Sequence, residues 1–249
     1  MRAYIFSRRN AKEILRDPLN MLFGLAFPLL LLVLFAVINS SIPAEADNTM
    51  FSPERLTPGL AMFGTSFMAL FSGMLLAKDR TSSFLMRLFT SPMRAVDFII
   101  GYTLPLILFS LLQSSITFMA AAFFGLPFTA NTLLAIVLLV PISLMFVGIG
   151  LLCGSVMNDK AVGGICGALV INLVGWLSDV WIPIEQIGGA YLAISRALPF
   201  YHAAETARMA IAGRYDEILP HLAIVLAYTL VLYISAVLLF RHKMSSDKA

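Results

Sequence analysis

Six long, uncharged apolar stretches constrain the fold of this chain more than any other feature of its sequence. An α-helix of about 20 apolar residues crosses the hydrocarbon core of a bilayer and satisfies its own backbone hydrogen bonds there. The sequence therefore predicts an all-α integral membrane protein with six transmembrane helices in a single domain, residues 1–249. The predicted spans are about 19–38, 59–77, 98–124, 131–157, 161–178 and 219–240.

The composition excludes an ordinary soluble domain. Of the 249 residues, 59% are hydrophobic and 12% are charged, with a mean hydropathy of +0.89. In a typical soluble domain about a quarter of the residues are charged, and the few charges here do not cover a water-exposed surface. The first apolar stretch follows a basic segment but exceeds the signal-peptide core of about 7–15 residues, so we expect a retained span.

The lysine and arginine residues orient the chain in the membrane. With the N-terminus in the cytoplasm, 13 of the 17 basic residues lie on the cytoplasmic side and 4 lie outside, although the outer segments are at least as long. The positive-inside rule therefore predicts that both termini are cytoplasmic. The inner segments are then 1–18, 78–97, 158–160 and 241–249, and the outer segments are 39–58, 125–130 and 179–218.

Three segments outside the spans carry helical patterns. Residues 1–18 predict an amphipathic helix on the inner membrane surface, with a solvated basic tail as the alternative. Residues 80–94 mix apolar and basic side chains, and Pro92 is a residue type that ends a helix. This pattern predicts a short amphipathic helix that contacts a cytosolic partner. Residues 182–213 are too apolar for an ordinary loop and are broken by prolines and glycines, which predicts re-entrant helices on the outer side.

Motifs for catalysis and for nucleotide binding are missing from the sequence. No GxxxxGK[ST] loop, GxSxG elbow, HExxH or paired CxxC occurs, so no catalytic, metal or cofactor site is predicted on this chain, and no nucleic-acid partner is expected. His202, His221 and His242 are interpreted as interfacial or surface residues. No charged residue lies deep inside a predicted span, which disfavours a carrier driven through buried carboxylates.

Small and polar residues within the spans give weaker indications. Two pairs of glycines have the GxxxG spacing that lets helices approach closely, either within one chain or between two copies. Gln113 and Asn172 are candidates for a substrate path, although polar side chains in spans commonly bond their own or a neighbouring helix. The glycine pairs are Gly150 with Gly154 and Gly163 with Gly167.

The order of these segments resembles the type-2 ABC exporter permease family. The resemblance covers essentially the whole chain: a basic surface helix, six spans, a helix-proline segment after the second span and a proline-broken stretch before the sixth. Its closest matches are residues 84–94 (FLMRLFTSPMR) with Gly101 following, and residues 198–208 (LPFYHAAETAR) with Gly213 following. Ser82 and Ser83 stand where a Gly-Thr pair is common, and Lys78-Asp79-Arg80 lies nearby in place of a typical Glu.

The resemblance implies a permease that pairs with a second copy or a homologue and with two cytosolic ABC ATPase subunits. ATP and Mg²⁺ would bind on those subunits, so this chain would be a translocase subunit without its own ATPase site. Gly163 and Gly167 would lie where the first and fifth spans meet across the dimer, and Pro199 and Glu205 would mark the re-entrant region. Segment 80–94 would be the coupling helix, with Phe84, Leu85, Arg87, Leu88 and Pro92 as its ATPase-coupling residues.

The sequence thus favours the membrane subunit of an ATP-driven exporter in the plasma membrane of a bacterium or archaeon. A hydrophobic or amphiphilic cargo, such as a drug or antibiotic, suits spans without charges, and the expected mechanism is alternating access. An exporter of a lipid-linked glycan from the same family and a non-transporting membrane anchor or sensor remain as alternatives. A membrane-embedded enzyme is disfavoured because no His, Asp or Glu cluster shares one membrane depth.

Overall fold

Helices make up nearly all of the part of the chain that the computed structural model describes, residues 2–43, 49–82, 84, 93–181 and 183–246, and no strand occurs within it. Six of these helices are long and apolar enough to cross a membrane. They are α2 (Pro18–Ser41), α3 (Pro53–Thr81), α4 (Ala95–Ala122), α5 (Ala130–Val156), α6 (Asp159–Leu177) and α10 (Tyr215–Ser246, apolar over Tyr215–Leu239). The predicted fold class, all-α with six transmembrane helices, is confirmed.

Four shorter helices lie at the two ends of this bundle. The N-terminal helix α1 covers Arg2–Arg16 and packs along α4. At the other end lie α7 (Ile184–Ile187), α8 (Gly189–Ala197) and α9 (Pro199–Ile211). Gly188 separates the first two of these and Gly189 begins the second, with φ values of 66° and 58° that glycine adopts without a steric cost. A single 3₁₀ turn covers Thr49–Phe51.

Polar side chains close the N-termini of the spans that begin at the predicted cytoplasmic end. The Asp17 carboxylate accepts the Leu19 N–H at 3.0 Å before α2, and the Asn158 side chain accepts the Ala161 N–H at 2.9 Å before α6. Before α4, the Asp97 side chain accepts the Arg94 N–H at 2.8 Å. These contacts satisfy amide groups that have no partner within the helix.

Helix α3 forms the centre of the bundle. Of its most apolar 18-residue stretch, 89% is buried, and it packs against α2, α4, α5, α6 and α9. Helix α10 packs on α5 and α9 at one side. The equivalent stretches of α2 and α10 are each 17% buried and that of α6 is 39% buried, so these three helices present broad apolar faces to their surroundings.

Two spans contain π-helical turns, Leu22–Ala26 in α2 and Gly163–Val170 in α6. The first turn lies in the half of α2 nearest the predicted cytoplasmic end, and the second covers the middle of α6. A π-helical turn widens the helix and is often found where a helix serves a function.

Glycines hold α3 and α5 together within the chain. A methyl group at Gly150 would collide with the Ala69 carbonyl oxygen and the Ser72 hydroxyl, and one at Gly154 would lie 2.5 Å from the Gly73 carbonyl oxygen. Close approach of two helix backbones requires such small residues. The GxxxG pair Gly150–Gly154 therefore serves packing within one chain, one of the two uses left open by the sequence.

We expect Gly150→Ala to destabilise the protein by about 2 kcal/mol, because overpacking a tight contact forces the helices apart. For a chain of this size that loss lowers the midpoint of thermal unfolding by about 5 °C. The measurement is thermal unfolding of the purified protein in detergent. Gly164→Ala is the matched control, since a methyl group at exposed Gly164 meets no described atom within 4 Å. Equal midpoints for the two variants would contradict this packing.

Candidate functional site

Asp79, in the last turn of α3, is the centre of a polar cluster at the predicted cytoplasmic end. Its side chain is 3% exposed. Arg9 of α1 binds both carboxylate oxygens, Nη1 to Oδ2 at 2.5 Å and Nη2 to Oδ1 at 2.7 Å. Tyr102 of α4 donates its hydroxyl to Oδ2 at 2.8 Å. Asp79 therefore joins three helices through charge-assisted hydrogen bonds, of which the bidentate pair is the strongest type.

Phe84 lies directly beside this cluster. The Arg9 guanidinium carbon lies 4.4 Å from the centre of the Phe84 ring, a cation–π contact. The Phe6 ring lies 6.5 Å from that of Phe84 and 5.0 Å from that of Tyr102. Phe6 also lies so close to Gly101 that a methyl group there would collide with its ring. The start of the predicted coupling segment is thus in contact with α1 and, through it, with α4.

Helix α1 is fixed to α4 by a second buried polar contact. Asn10 is fully buried, and its Nδ2 donates to the Gly101 carbonyl oxygen at 3.1 Å. Arg9 also pairs with Glu13 at 2.7 Å. Burial lowers the pKa of Arg9, but the hydrogen bonds and charge of Asp79 outweigh that effect and raise this pKa above its usual value. Arg9 therefore remains charged at every physiological pH.

Arg80, the next residue of α3, closes the C-terminus of α5. It donates to the carbonyl oxygens of Gly154 at 3.1 Å, of Ser155, and of Met157 at 3.1 Å. A helix C-terminus has free carbonyl groups and a partial negative charge, both of which favour a cation. The end of α3 is consequently bound to α1 and α4 through Asp79 and to α5 through Arg80.

A second charged cluster lies at the opposite end of the bundle around Asp179, which follows α6 in a left-handed conformation with φ of 61°. Its Oδ2 accepts from Arg55 at 2.6 Å and from Arg208 at 3.0 Å, and its Oδ1 accepts the Ile184 N–H at 2.6 Å. Arg208 also pairs with Glu205 at 2.7 Å. This cluster joins α3, the end of α6 and α9.

His202 and His221 form a pair beside this cluster, which we call the outer cluster because it lies at the predicted outer end. Their Nδ1 atoms are 2.8 Å apart, and His202 Nε2 lies 2.8 Å from the Arg196 carbonyl oxygen. A carbonyl only accepts, so His202 carries its proton on Nε2 when neutral, and its Nδ1 accepts from His221. Both histidines line an outer cleft of about 710 Å³ together with the ion pairs around Asp179. The sequence interpretation of these histidines as interfacial or surface residues did not include this pairing.

The structure separates the two polar residues proposed for a substrate path. Gln113 is fully buried between α2, α3 and α4, where its Nε2 lies 3.2 Å from the Thr117 hydroxyl and its Oε1 has no hydrogen-bond partner among the described residues. Asn172 lies on an exposed face of α6 and donates to the Ala168 carbonyl oxygen at 2.6 Å. No contact joins them in the part of the chain described.

The remaining predicted site residues occupy different surroundings. In α6, a methyl group at Gly163 would meet no described atom within 4 Å, whereas one at Gly167 would lie 3.3 Å from Leu70 of α3. Pro199 is buried in the first turn of α9, and Glu205 lies on the same helix in the outer cluster. Four of the predicted coupling residues, Leu85, Arg87, Leu88 and Pro92, lie outside the described residues.

Comparison with known proteins identifies the family. A family model described as ABC-2 type transporter matches residues 2–212, which include α1 to α9 and both charged clusters. No curated protein matches the chain at a significant level. The resemblance drawn from residues 84–94 and 198–208 is confirmed by the family match. Since this match covers most of the sequence, the chain belongs to the ABC-2 type transporter family and is a multi-pass membrane permease component.

Proposed function

We propose that this permease is the membrane subunit of an ABC exporter that moves a hydrophobic or amphiphilic compound, such as a drug or antibiotic, out of a bacterial or archaeal cell. Its termini are cytoplasmic, in accord with the distribution of basic residues. The observation that carries the proposal is the contact of Phe84 with the Arg9–Asp79–Tyr102 cluster.

The cluster supports a coupling role because it lies where a cytosolic ATPase would act on the spans. Phe84 belongs to the predicted coupling segment 80–94, and its ring contacts Arg9. A displacement of that segment by an ATPase would therefore act on Arg9 through Phe84. Arg9 holds Asp79 at the end of α3, the central helix, and Asp79 holds Tyr102 of α4. An ATPase that binds two arrangements of this end differently shifts the equilibrium between two arrangements of the spans, as alternating access requires.

ATP and Mg²⁺ bind on the partner ATPase subunits in this proposal, and the chain itself carries no cofactor. A second copy or a homologue completes the permease. The exposed apolar faces of α2 and α6 support their use as the contact between the two permeases. The open environment of Gly163 on α6 suits that contact, since small residues let helices of two chains approach.

The interior of the bundle supports an apolar or amphiphilic cargo. The middle of each span carries no charged residue, and the charged side chains of α3, Glu54, Arg55, Lys78, Asp79 and Arg80, lie within its terminal turns. A charged cargo would lose its hydration in such an interior without gaining a partner of opposite charge. A compound that is largely apolar avoids that cost.

The test is co-expression of the chain with its candidate ABC ATPase, followed by affinity purification and measurement of ATP hydrolysis. We expect the ATPase to co-purify with the wild-type chain and Phe84→Ala/Arg87→Ala to change the activity about tenfold, as a loss of about 1.4 kcal/mol of differential contact would. Phe123→Ala/Arg214→Ala, which removes an exposed Phe and an Arg at the outer side, is the matched control. A stable chain that recruits no ATPase would contradict the exporter and favour the alternative of a non-transporting membrane anchor or sensor.

A further inference from the structure

An apolar groove runs between α1 and α4 on the outside of the bundle. Its volume is about 200 Å³, and its rim leucines, Leu15, Leu108 and Leu112, are 57%, 60% and 51% exposed. Its floor is buried and contains Ile14, Pro105 and Phe109. A groove of this volume that is lined by apolar side chains suits a segment of a hydrocarbon chain.

A ridge of basic side chains borders the groove on α1. Arg8, Lys12 and Arg16 follow one another at four-residue intervals and therefore lie in one row along the helix. All three side chains are exposed, and none makes an ion pair with a described residue. Ala11 and Leu15, which line the groove, form the neighbouring row of the same helix. Cationic groups and the apolar groove thus lie side by side.

The acidic residues near this ridge are already engaged. Glu13 pairs with Arg9 at 2.7 Å. The Asp17 carboxylate accepts the Leu19 N–H at the start of α2. On the other side of the ridge lies an open cleft, lined by Ile5 and the charged residues of α1, to which Lys78 of α3 adds a further exposed cation. Five basic and two acidic residues line this cleft, so the local charge is positive and favours an anion.

We propose that this groove and ridge form a binding site for one anionic phospholipid of the inner leaflet. Its acyl chain lies in the groove, and Arg8 and Lys12 bind its phosphate and headgroup. An amphipathic helix with basic residues beside apolar ones at the cytoplasmic interface binds such lipids through burial of apolar surface and through attraction between its cations and the anionic headgroups. The site rests on the cytoplasmic placement of α1 proposed above, but it is independent of the cargo and of the ATPase. A protein partner would use the cations without needing an adjoining apolar groove that opens to lipid.

The experiment is native mass spectrometry of the full-length chain in detergent, titrated with dioleoylphosphatidylglycerol and, separately, with dioleoylphosphatidylcholine. We expect Arg8→Gln/Lys12→Gln to bind phosphatidylglycerol about 30-fold more weakly, since each basic side chain near an anionic lipid contributes about a fivefold preference. Phosphatidylcholine binding should weaken far less, because its choline group cancels the charge of its phosphate. Ala11→Phe, which fills the groove, should weaken both lipids.

The matched control is Arg94→Gln/Lys160→Gln, which removes two exposed charges from the same end of the protein but away from the groove. It should retain wild-type affinity for phosphatidylglycerol. Equal affinity of the wild-type chain for both lipids would overturn the site. So would competition by glycerophosphoglycerol, which lacks acyl chains, at the same concentration as the intact lipid, because it would indicate a simple anion site. Unchanged lipid binding with loss of ATPase co-purification in Arg8→Gln/Lys12→Gln would assign the ridge to a protein partner instead.

Discussion

Arg9→Ala is expected to lower the midpoint of thermal unfolding by about 10 °C, which corresponds to a loss of about 3 kcal/mol. The substitution leaves Asp79, with its side chain 3% exposed, as a buried charge whose remaining side-chain partner is Tyr102. Removing one member of a buried ion pair is costly because the other member stays desolvated. The measurement is thermal unfolding of the purified chain in detergent.

The neighbouring arginine provides the control for this prediction. Arg8 lies on the exposed side of the same helix and makes no ion pair with a described residue, so Arg8→Ala should change the stability by no more than about 0.5 kcal/mol. The double variant Arg9→Ala/Asp79→Asn should recover part of the loss, because it removes the buried charge along with its partner. Strictly additive losses in the double variant would show that the two side chains do not act as a pair.

Arg208→Met is expected to cost about 4 kcal/mol at the opposite end of the bundle. The side chains of Arg208, Asp179 and Glu205 are 10%, 11% and 11% exposed, so the substitution leaves two nearly buried carboxylates close together. Arg208 also donates to the Asp179 carbonyl oxygen at 2.6 Å and so holds the left-handed residue in place. Thermal unfolding in detergent measures this loss as well.

An exposed ion pair in the same region serves as the comparison. Arg214 and Glu217 are 55% and 45% exposed, and pairs of that kind contribute no more than about 1 kcal/mol. Arg214→Met should therefore leave the unfolding midpoint nearly unchanged. If Arg208→Met and Arg214→Met lowered the midpoint equally, the buried network around Asp179 would not stabilise the outer end.

The spans were predictable because each one is encoded locally. Length and hydropathy along the chain place a membrane helix without any knowledge of its neighbours. The structure shows α3 extending from Pro53 to Thr81, beyond the apolar stretch 59–77, because its terminal turns carry charged residues that bond to other helices. A hydropathy pattern ends where those charges begin, although the helix does not.

The contacts of the candidate site were not predictable because they join residues far apart in sequence. Arg9 and Asp79 are separated by 70 positions, and nothing in either segment indicates its partner. His202 and His221 are 19 positions apart in the sequence, and they meet because α9 packs against α10. Gln113 and Asn172 looked alike as polar residues in apolar helices, yet one faces the interior and the other an exposed surface. The rotation of each helix about its axis and its packing decide which side chains are buried. A membrane helix is apolar on all sides, so its sequence does not indicate which face contacts protein and which contacts lipid.

The corner between α5 and α6 limits how the spans move relative to one another. Met157 and Asn158 are the two residues that separate these helices, so the ends of α5 and α6 are three residue steps apart and lie within about 11 Å of each other even when the connection is fully extended. Arg80 binds the carbonyl groups on the α5 side of the same corner. The ends of α5 and α6 therefore stay close together at this corner, and Arg80 binds the end of α3 to it. For the motion of the permease, this means that the ends of α3, α5 and α6 form one mechanical junction rather than three separate helix ends.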